Sequence, residues 1–176
     1  MSNFEKNLEQ AINNAKRLTD KILIDGKLIS AQTNNKIPVL NPSTGDNIGS
    51  APQCNKDDVN IAVESAHKAF QKWKKIPARE RGKMVAAGAK RLEERKSEIE
   101  TLLSLDTGNA LRTQAIPETG ASIELTNMFA GLSGELKGEN YPTNIPNSIH
   151  YTTRDPIGVV CCLLYTSPSP RDLSSS

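Results

Sequence analysis

The chain has 176 residues, 22 of them basic and 20 acidic, with 36% hydrophobic residues and 4% aromatics. This length suits one domain or part of one, the near-balance of charge gives no argument for nucleic acid or acidic lipid as a partner, and no apolar run has transmembrane length or the form of a signal peptide. The apolar fraction lies below the roughly 45–50% of an average domain, so an aliphatic and incomplete core is expected, and three cysteines without a paired framework (Cys54, Cys161, Cys162) fit a reduced, cytoplasmic protein.

Phe4, Leu8, Ile12, Ala15 and Leu18 recur at helical spacing, which predicts an N-terminal helix over residues 1–18. Short strands follow. Ile22–Ile24 and Leu28–Ser30 flank Asp25-Gly26-Lys27, a hairpin signal. Residues 37–40 read as an edge strand because Pro38 has no N–H for a ladder. The turn Asn41-Pro42-Ser43-Thr44-Gly45-Asp46 leads to a strand near Ile48. The strongest helix covers 56–75, where Val59, Ala62, Val63, Ala66, Phe70 and Trp73 share a face and Asn55 is placed to cap it. Pro77 opens a second helix with Met84, Val85, Ala89 and Leu92 on its apolar stripe. Ile99, Leu102 and Leu103 continue as a third helical stretch, ended by Gly108. Residues 118–136 read as a further helix with Pro117 near its start, and Gly138 and Pro142 mark its exit. Ser148–Arg154 alternates as a strand, and Asp155-Pro156 turns into the apolar run Ile157–Leu164. That run reads as a strand buried on both faces. It gives way to a Ser/Pro-rich tail that can neither pair nor pack. The tail resembles translated sequencing-adapter sequence, so residues 162–176 are expected to be disordered and foreign, and the chain to be a piece of a larger protein.

Four stretches occur in a telling order: Leu23-Ile24-Asp25-Gly26-Lys27, Leu40-Asn41-Pro42-Ser43-Thr44-Gly45, Leu105-Asp106-Thr107-Gly108 and Arg154-Asp155-Pro156-Ile157-Gly158-Val159-Val160. Together they resemble the N-terminal third of the NAD(P)-dependent aldehyde dehydrogenases, over about residues 22–161. The helix carrying Asp58, Val59, Ala62, Ala69, Phe70 and Trp73 resembles the one that family places after its Asn-Pro-Ser-Thr-Gly turn. The resemblance implies an α/β fold, the N-terminal part of a Rossmann-like cofactor-binding domain truncated at the first strand of its parallel sheet. The implied organisation is a helix at 1–18, the N-terminal part of the cofactor domain at 19–146, the start of an oligomerisation hairpin at 147–155 and the first sheet strand at 156–161.

For the parent protein the resemblance implies oxidation of a small aldehyde to its acid with NAD or NADP, in a homo-oligomer. The nucleophilic cysteine, general-base glutamate, oxyanion asparagine and cofactor turn of the family have no counterpart here, so no catalytic or cofactor-binding residue is assigned and the chain itself is expected to be inactive. Alternatives are a CoA-acylating semialdehyde dehydrogenase, whose distinguishing residues would lie downstream, and a non-catalytic piece that only associates with full-length subunits. Some family members bind a monovalent cation through an aspartate and a backbone carbonyl at positions matching Asp106 and Leu40. A carboxylate and a carbonyl suit a hard cation. The alternative is that Asp106 serves the helix end and Leu40 the core. Asn109 stands where the family usually has lysine.

Other motifs carry less. Ser65-Ala66-His67-Lys68 matches S-x-x-K but lies mid-helix without companion motifs. His67 and His150 lack clustered partners for zinc. Cys161 and Cys162 sit on the truncated strand, one of them at its junction with the tail, and are not read as a catalytic thiol. Gly131, Gly134 and Gly138 do not fit G-x-G-x-x-G. The basic run Lys72, Lys74, Lys75, Arg79, Arg81 and Lys83 reads as a solvated helix junction.

Overall fold

Turn chemistry shapes the N-terminal half of the protein, whose computed structural model describes residues 3–162. Helix α1 (Asn3–Leu18) leads into strands β1 (Lys21–Ile24) and β2 (Lys27–Ser30). Asp25 and Gly26 both have positive φ, 51° and 71°. A two-residue hairpin needs that left-handed pair to match the twist of its strands. The register places Ile24 opposite Lys27 and Ile22 opposite Ile29. Strands β3 (Lys36–Leu40) and β4 (Asn47–Pro52) form a second antiparallel hairpin. Each is an edge, so Pro38 removes no inner ladder bond. The turn between them is closed by its own side chains. Ser43 N–H donates to Asn41 Oδ1 at 2.9 Å, Asp46 N–H to Thr44 Oγ1 at 3.2 Å, and Gly45 N–H to the Asn41 carbonyl at 2.8 Å.

Helix α2 (Lys56–Trp73) starts with a reciprocal cap. Asp58 N–H donates to Asn55 Oδ1 at 2.9 Å, while Asp58 Oδ2 accepts from Asn55 N–H at 3.0 Å. The other oxygen of Asp58 accepts from Gln32 N–H at 3.0 Å, which pins the β2–β3 connection to the helix start. Asp58 is only 4% exposed. Replacing it with alanine strands two backbone donors, at a cost of about 1–3 kcal/mol. We expect Asp58→Ala to lower the urea midpoint of the helical circular dichroism signal, whereas Asp57→Ala, on the exposed side of the same turn, leaves it within error.

Helices α3 (Ala78–Glu94) and α4 (Lys96–Thr107) break at Arg95, and α4 closes on Gly108, whose φ of 74° and N–H to the Ser104 carbonyl form a left-handed cap. A wide π turn over Leu111–Ala115 then runs directly into α5 (Ile116–Leu132). The helix expected at 118–136 therefore begins earlier and ends earlier. Pro117 supplies the reason for the wide turn: a proline ring clashes with the carbonyl four residues back. Here Ala115 N–H reaches the Ala110 carbonyl at 3.2 Å, a bond to the fifth residue back.

Strand β6 (His150–Tyr151) occupies only the middle of the strand expected over 148–154, and it pairs with β5 (Asn140–Tyr141), which helical periodicity had not marked. Gly138 permits the return. A Cβ there would stand 1.7 Å from the Thr152 carbonyl oxygen. The strand expected over 156–161 does not form among the described residues. A ladder needs a partner, and the three sheets present are separate antiparallel pairs. Gly158, at φ 119°, also breaks the extended run. Instead Gly158, Val159 and Val160 lie along α2 beside Phe70 and Trp73. The expectation for residues 163–176 falls outside the described residues.

The core is small. Ala11, Ala89 and Ala115 are fully buried, and no large side chain is, among the described residues. Helix α1 lies on α4 through Ala11, with Asn7 Nδ2 donating to Ser97 Oγ and Asn14 Nδ2 to Glu98 Oε1, both at 2.8 Å. Helices α3 and α5 meet at Gly82, where a Cβ would stand 2.5 Å from the Ala130 carbonyl oxygen.

Candidate functional site

Leu40 ends β3 and Asp106 lies in the last turn of α4, far apart in sequence. The fold makes their loops neighbours. The left-handed cap at Gly108 lies against the Asn41–Gly45 turn: a Cβ on Gly108 would be 3.2 Å from Pro42 Cβ. Val39 and Asp106 line one cavity of about 400 Å³ between the β3–β4 hairpin and α4, walled by Ile48, Ile99, Leu102 and Leu103. Leu40 itself is half exposed. Asp106 is exposed and has no hydrogen-bond or ion-pair partner among the described residues. A hard cation such as calcium takes about six to eight oxygens. No group of three or more His, Cys, Asp or Glu residues that could hold a metal ion occurs among the described residues. One carboxylate and one carbonyl fall well short of that shell. The residues present do not fit a metal ion by themselves, and no chemical step runs through one here.

The remaining motifs are occupied structurally. Lys68 pairs with Glu64 at 2.7 Å, and this partner holds the Glu64 carboxyl below its usual range. His67 shares a hydrogen bond with Gln71 at 3.0 Å on an exposed helix face. Cys161 and Cys162 are free and exposed. In the basic run, Lys83 pairs with Glu80 at 2.7 Å, Arg81 donates to the Ile76 carbonyl at 2.6 Å, and Lys74 sits 5.5 Å from the Phe70 ring centre. Two other carboxyls are held below their usual range by structural partners. Lys36 and then Ser50 do this to Asp20, which ties the start of β1 to the second hairpin, and Arg95 does it to Glu98, with Asn14 assisting. None of these groups converges on a shared reacting position.

Dinucleotide sites in α/β proteins open at the carboxyl ends of parallel strands, with a glycine-rich turn entering a helix. The strands described here pair only antiparallel. The described residues therefore do not fit a nicotinamide cofactor either, and none is assigned to one.

The comparisons with known proteins decide the class. A model of the aldehyde dehydrogenase family matches residues 28–164, most of the chain. The chain belongs to the aldehyde dehydrogenase family. It is 38% identical over 151 residues to aldehyde dehydrogenase tropH of Talaromyces stipitatus, covering 85% of this chain and 29% of that protein. It is 32% identical over 155 residues to phenylacetaldehyde dehydrogenase of Pseudomonas fluorescens, covering 84% of this chain and 31% of that protein. The structure superposes on betaine aldehyde dehydrogenase of Staphylococcus aureus in complex with NAD+ with a TM-score of 0.74 at 27% identity, over 81% of this chain and 29% of that one. The mixed helix-and-strand architecture is thus that of aldehyde dehydrogenases. The chain spans less than a third of the length of these relatives.

Within this family framework, the Asn41–Gly45 and Leu105–Gly108 motifs are the two loops that meet at Pro42 and Gly108. Reading the sequence singled out Leu40 and Asp106 but missed the cavity beside them. Ile99, Leu102 and Leu103 were legible as an apolar helix face. That Val39 and Ile48 stand across from them was not, since no local pattern reports a contact between a hairpin and a later helix.

Proposed function

We propose that the chain is the N-terminal part of a longer NAD(P)-dependent aldehyde dehydrogenase, which oxidises a small aldehyde to its acid as a cytoplasmic homo-oligomer. The observation that carries this reading is the family match over residues 28–164, which holds three of the four motif stretches in order, with the first, Leu23–Lys27, standing just before it. In such a protein a cysteine thiolate attacks the aldehyde, hydrogen-bond donors hold the developing oxyanion, and a carboxylate activates the water that releases the acid. The nicotinamide accepts the hydride when bound. Those groups belong to the part of the relatives that this chain does not span. What the present residues contribute is support: α3, α4 and α5 pack on one another and α2 meets the first hairpin, a frame on which the remainder would pack. A cation held in part by the Leu40 carbonyl and the Asp106 carboxylate stays a proposal for the longer protein, since it needs oxygens supplied from elsewhere.

The purified 176-residue chain is expected to show no NAD or NADP reduction with phenylacetaldehyde or benzaldehyde. The gene extended to the length of its relatives is expected to show it. Turnover by the short chain that vanishes in the Cys161→Ala, Cys162→Ala double variant would overturn this assignment of roles. An extended protein that folds yet oxidises no aldehyde would overturn the activity.

A further inference from the structure

Asp25-Gly26 is the one Asp-Gly step in the chain, and the chain has no Asn-Gly step. It forms the tip of the β1–β2 hairpin, with both residues at positive φ. The Asp25 side chain is exposed and has no hydrogen-bond or ion-pair partner among the described residues. The Gly26 nitrogen beside it is open to approach, since even a Cβ on Gly26 would meet nothing within 4 Å. The strands behind this tip are thinly held. They form a two-stranded sheet closed by Ile24 opposite Lys27. The next pair, Leu23 and Leu28, is 70% and 52% exposed, so opening the tip gives up little buried apolar surface. A hairpin without a third strand is marginal in water. Segments with few buried apolar contacts open locally while the rest stays folded.

We propose that Asp25-Gly26 is a site of spontaneous isoaspartate formation, and that the conversion releases the first hairpin from α2. When the tip opens, the Gly26 amide nitrogen attacks Cγ of the protonated Asp25 carboxyl. A C–N bond forms, and the carboxyl hydroxyl leaves as water with the amide proton. The product is a five-membered succinimide. Water then adds to the Asp25 backbone carbonyl carbon and breaks the bond from that carbon to the Gly26 nitrogen, which takes back a proton. The chain now runs through Cγ, and the former backbone carbonyl is a free carboxyl. One water leaves and one enters, so the step is an isomerisation that needs no other reactant. Glycine matters at the second position because a side chain there would crowd the attacking nitrogen. The converted turn carries one extra methylene in its backbone. A two-residue hairpin depends on two successive left-handed residues of ordinary length, so the longer turn cannot hold Ile24 opposite Lys27. Ile24 and Asp25 form one wall of a groove whose other wall includes Phe70 and Trp73 of α2. Loss of the turn takes that wall away.

The test incubates the full chain in mildly acidic buffer at physiological temperature for several weeks. Samples are then digested with endoproteinase Asp-N, which cuts before aspartate but not before isoaspartate. Cleavage before Asp25 is expected to be lost progressively at unchanged mass, while cleavage before Asp20 and Asp46 persists. Trp73 is the single tryptophan of the chain. Its emission should move to longer wavelength in step with that loss. Asp25→Asn keeps the turn, because Asn-Gly suits it equally, and releases ammonia in place of water. This variant should convert faster, read as the mass gain of amide hydrolysis. Gly26→Asn keeps a residue that tolerates positive φ and should hold cleavage before Asp25 near its starting level. Cleavage before Asp25 that persists as long as that before Asp46, or conversion as fast in Gly26→Asn as in the unaltered chain, would overturn the site. Conversion that leaves Trp73 emission unchanged would overturn the release of the hairpin.

Discussion

Replacing Gly82 with alanine should force α3 and α5 apart. The added Cβ would stand 2.1 Å from Ser133 Oγ and 2.5 Å from the Ala130 carbonyl oxygen. The serine side chain can rotate away, but the carbonyl belongs to a helix backbone and cannot. Overpacking of this kind costs about 1–3 kcal/mol, a large share of the roughly 5–15 kcal/mol that holds a domain together. Here the share is larger still, because the buried core is mostly alanine. Gly88 lies on the same helix and is exposed, and a Cβ added there would meet nothing within 4 Å. Gly88→Ala should therefore stabilise by about 1 kcal/mol through helix propensity alone. Urea denaturation followed by helical circular dichroism separates the two. If Gly82→Ala also raised the midpoint, the close approach of the helices would not exist in solution.

The chain is also expected to self-associate as its concentration rises, chiefly through α5. Leu125, Met128, Phe129 and Leu132 form a stripe on one face of that helix, each 45% exposed or more, with Phe129 at 63%. Thr119, Ile123 and Ala130 are buried on the opposite face. A helix that is apolar all round belongs in the interior of a larger protein. Left open, such a stripe is a surface that soluble monomers seldom display. Sedimentation velocity should show a mass average that climbs with concentration. The Phe129→Lys, Leu132→Lys double variant should shift the distribution toward monomer without loss of helical signal. A monodisperse monomer over the whole range, before any substitution, would show that the stripe is covered.

Where the sequence encoded structure in neighbouring residues, it could be read directly. Asp25-Gly26 announced a hairpin because only such a pair tolerates two successive left-handed conformations. Asn55 announced the start of α2 because its side chain stands in for a missing carbonyl. Gly108 announced the end of α4 for the converse reason. Elements that depend on distant partners were not legible in the same way. Ile157–Val160 has every local mark of a buried strand, yet a strand exists only through the ladder beside it, and no described segment offers one. Asn140–Tyr141 lacks those marks and is a strand, because His150–Tyr151 lies within reach. The π turn before α5 follows from Pro117, but the proline indicated a helix start, not the wider turn that precedes it. The family resemblance reached the right class through the order of four motifs. It could not reveal that two of those motifs meet at Pro42 and Gly108, which is a property of packing.

The seam between α1 and α4 has a kinetic consequence. Its two side-chain bonds join residues 90 and 84 positions apart, while the hairpins and the α3–α4 junction join near neighbours. Closing a loop costs entropy that grows with its length, by about 0.6 kcal/mol for each doubling. The small alanine contact and two amide bonds of the seam repay that cost only after α4 is in place. Helix α1 is thus expected to join the fold after α4, and hydrogen exchange should find its amides less protected than those of α3 and α5.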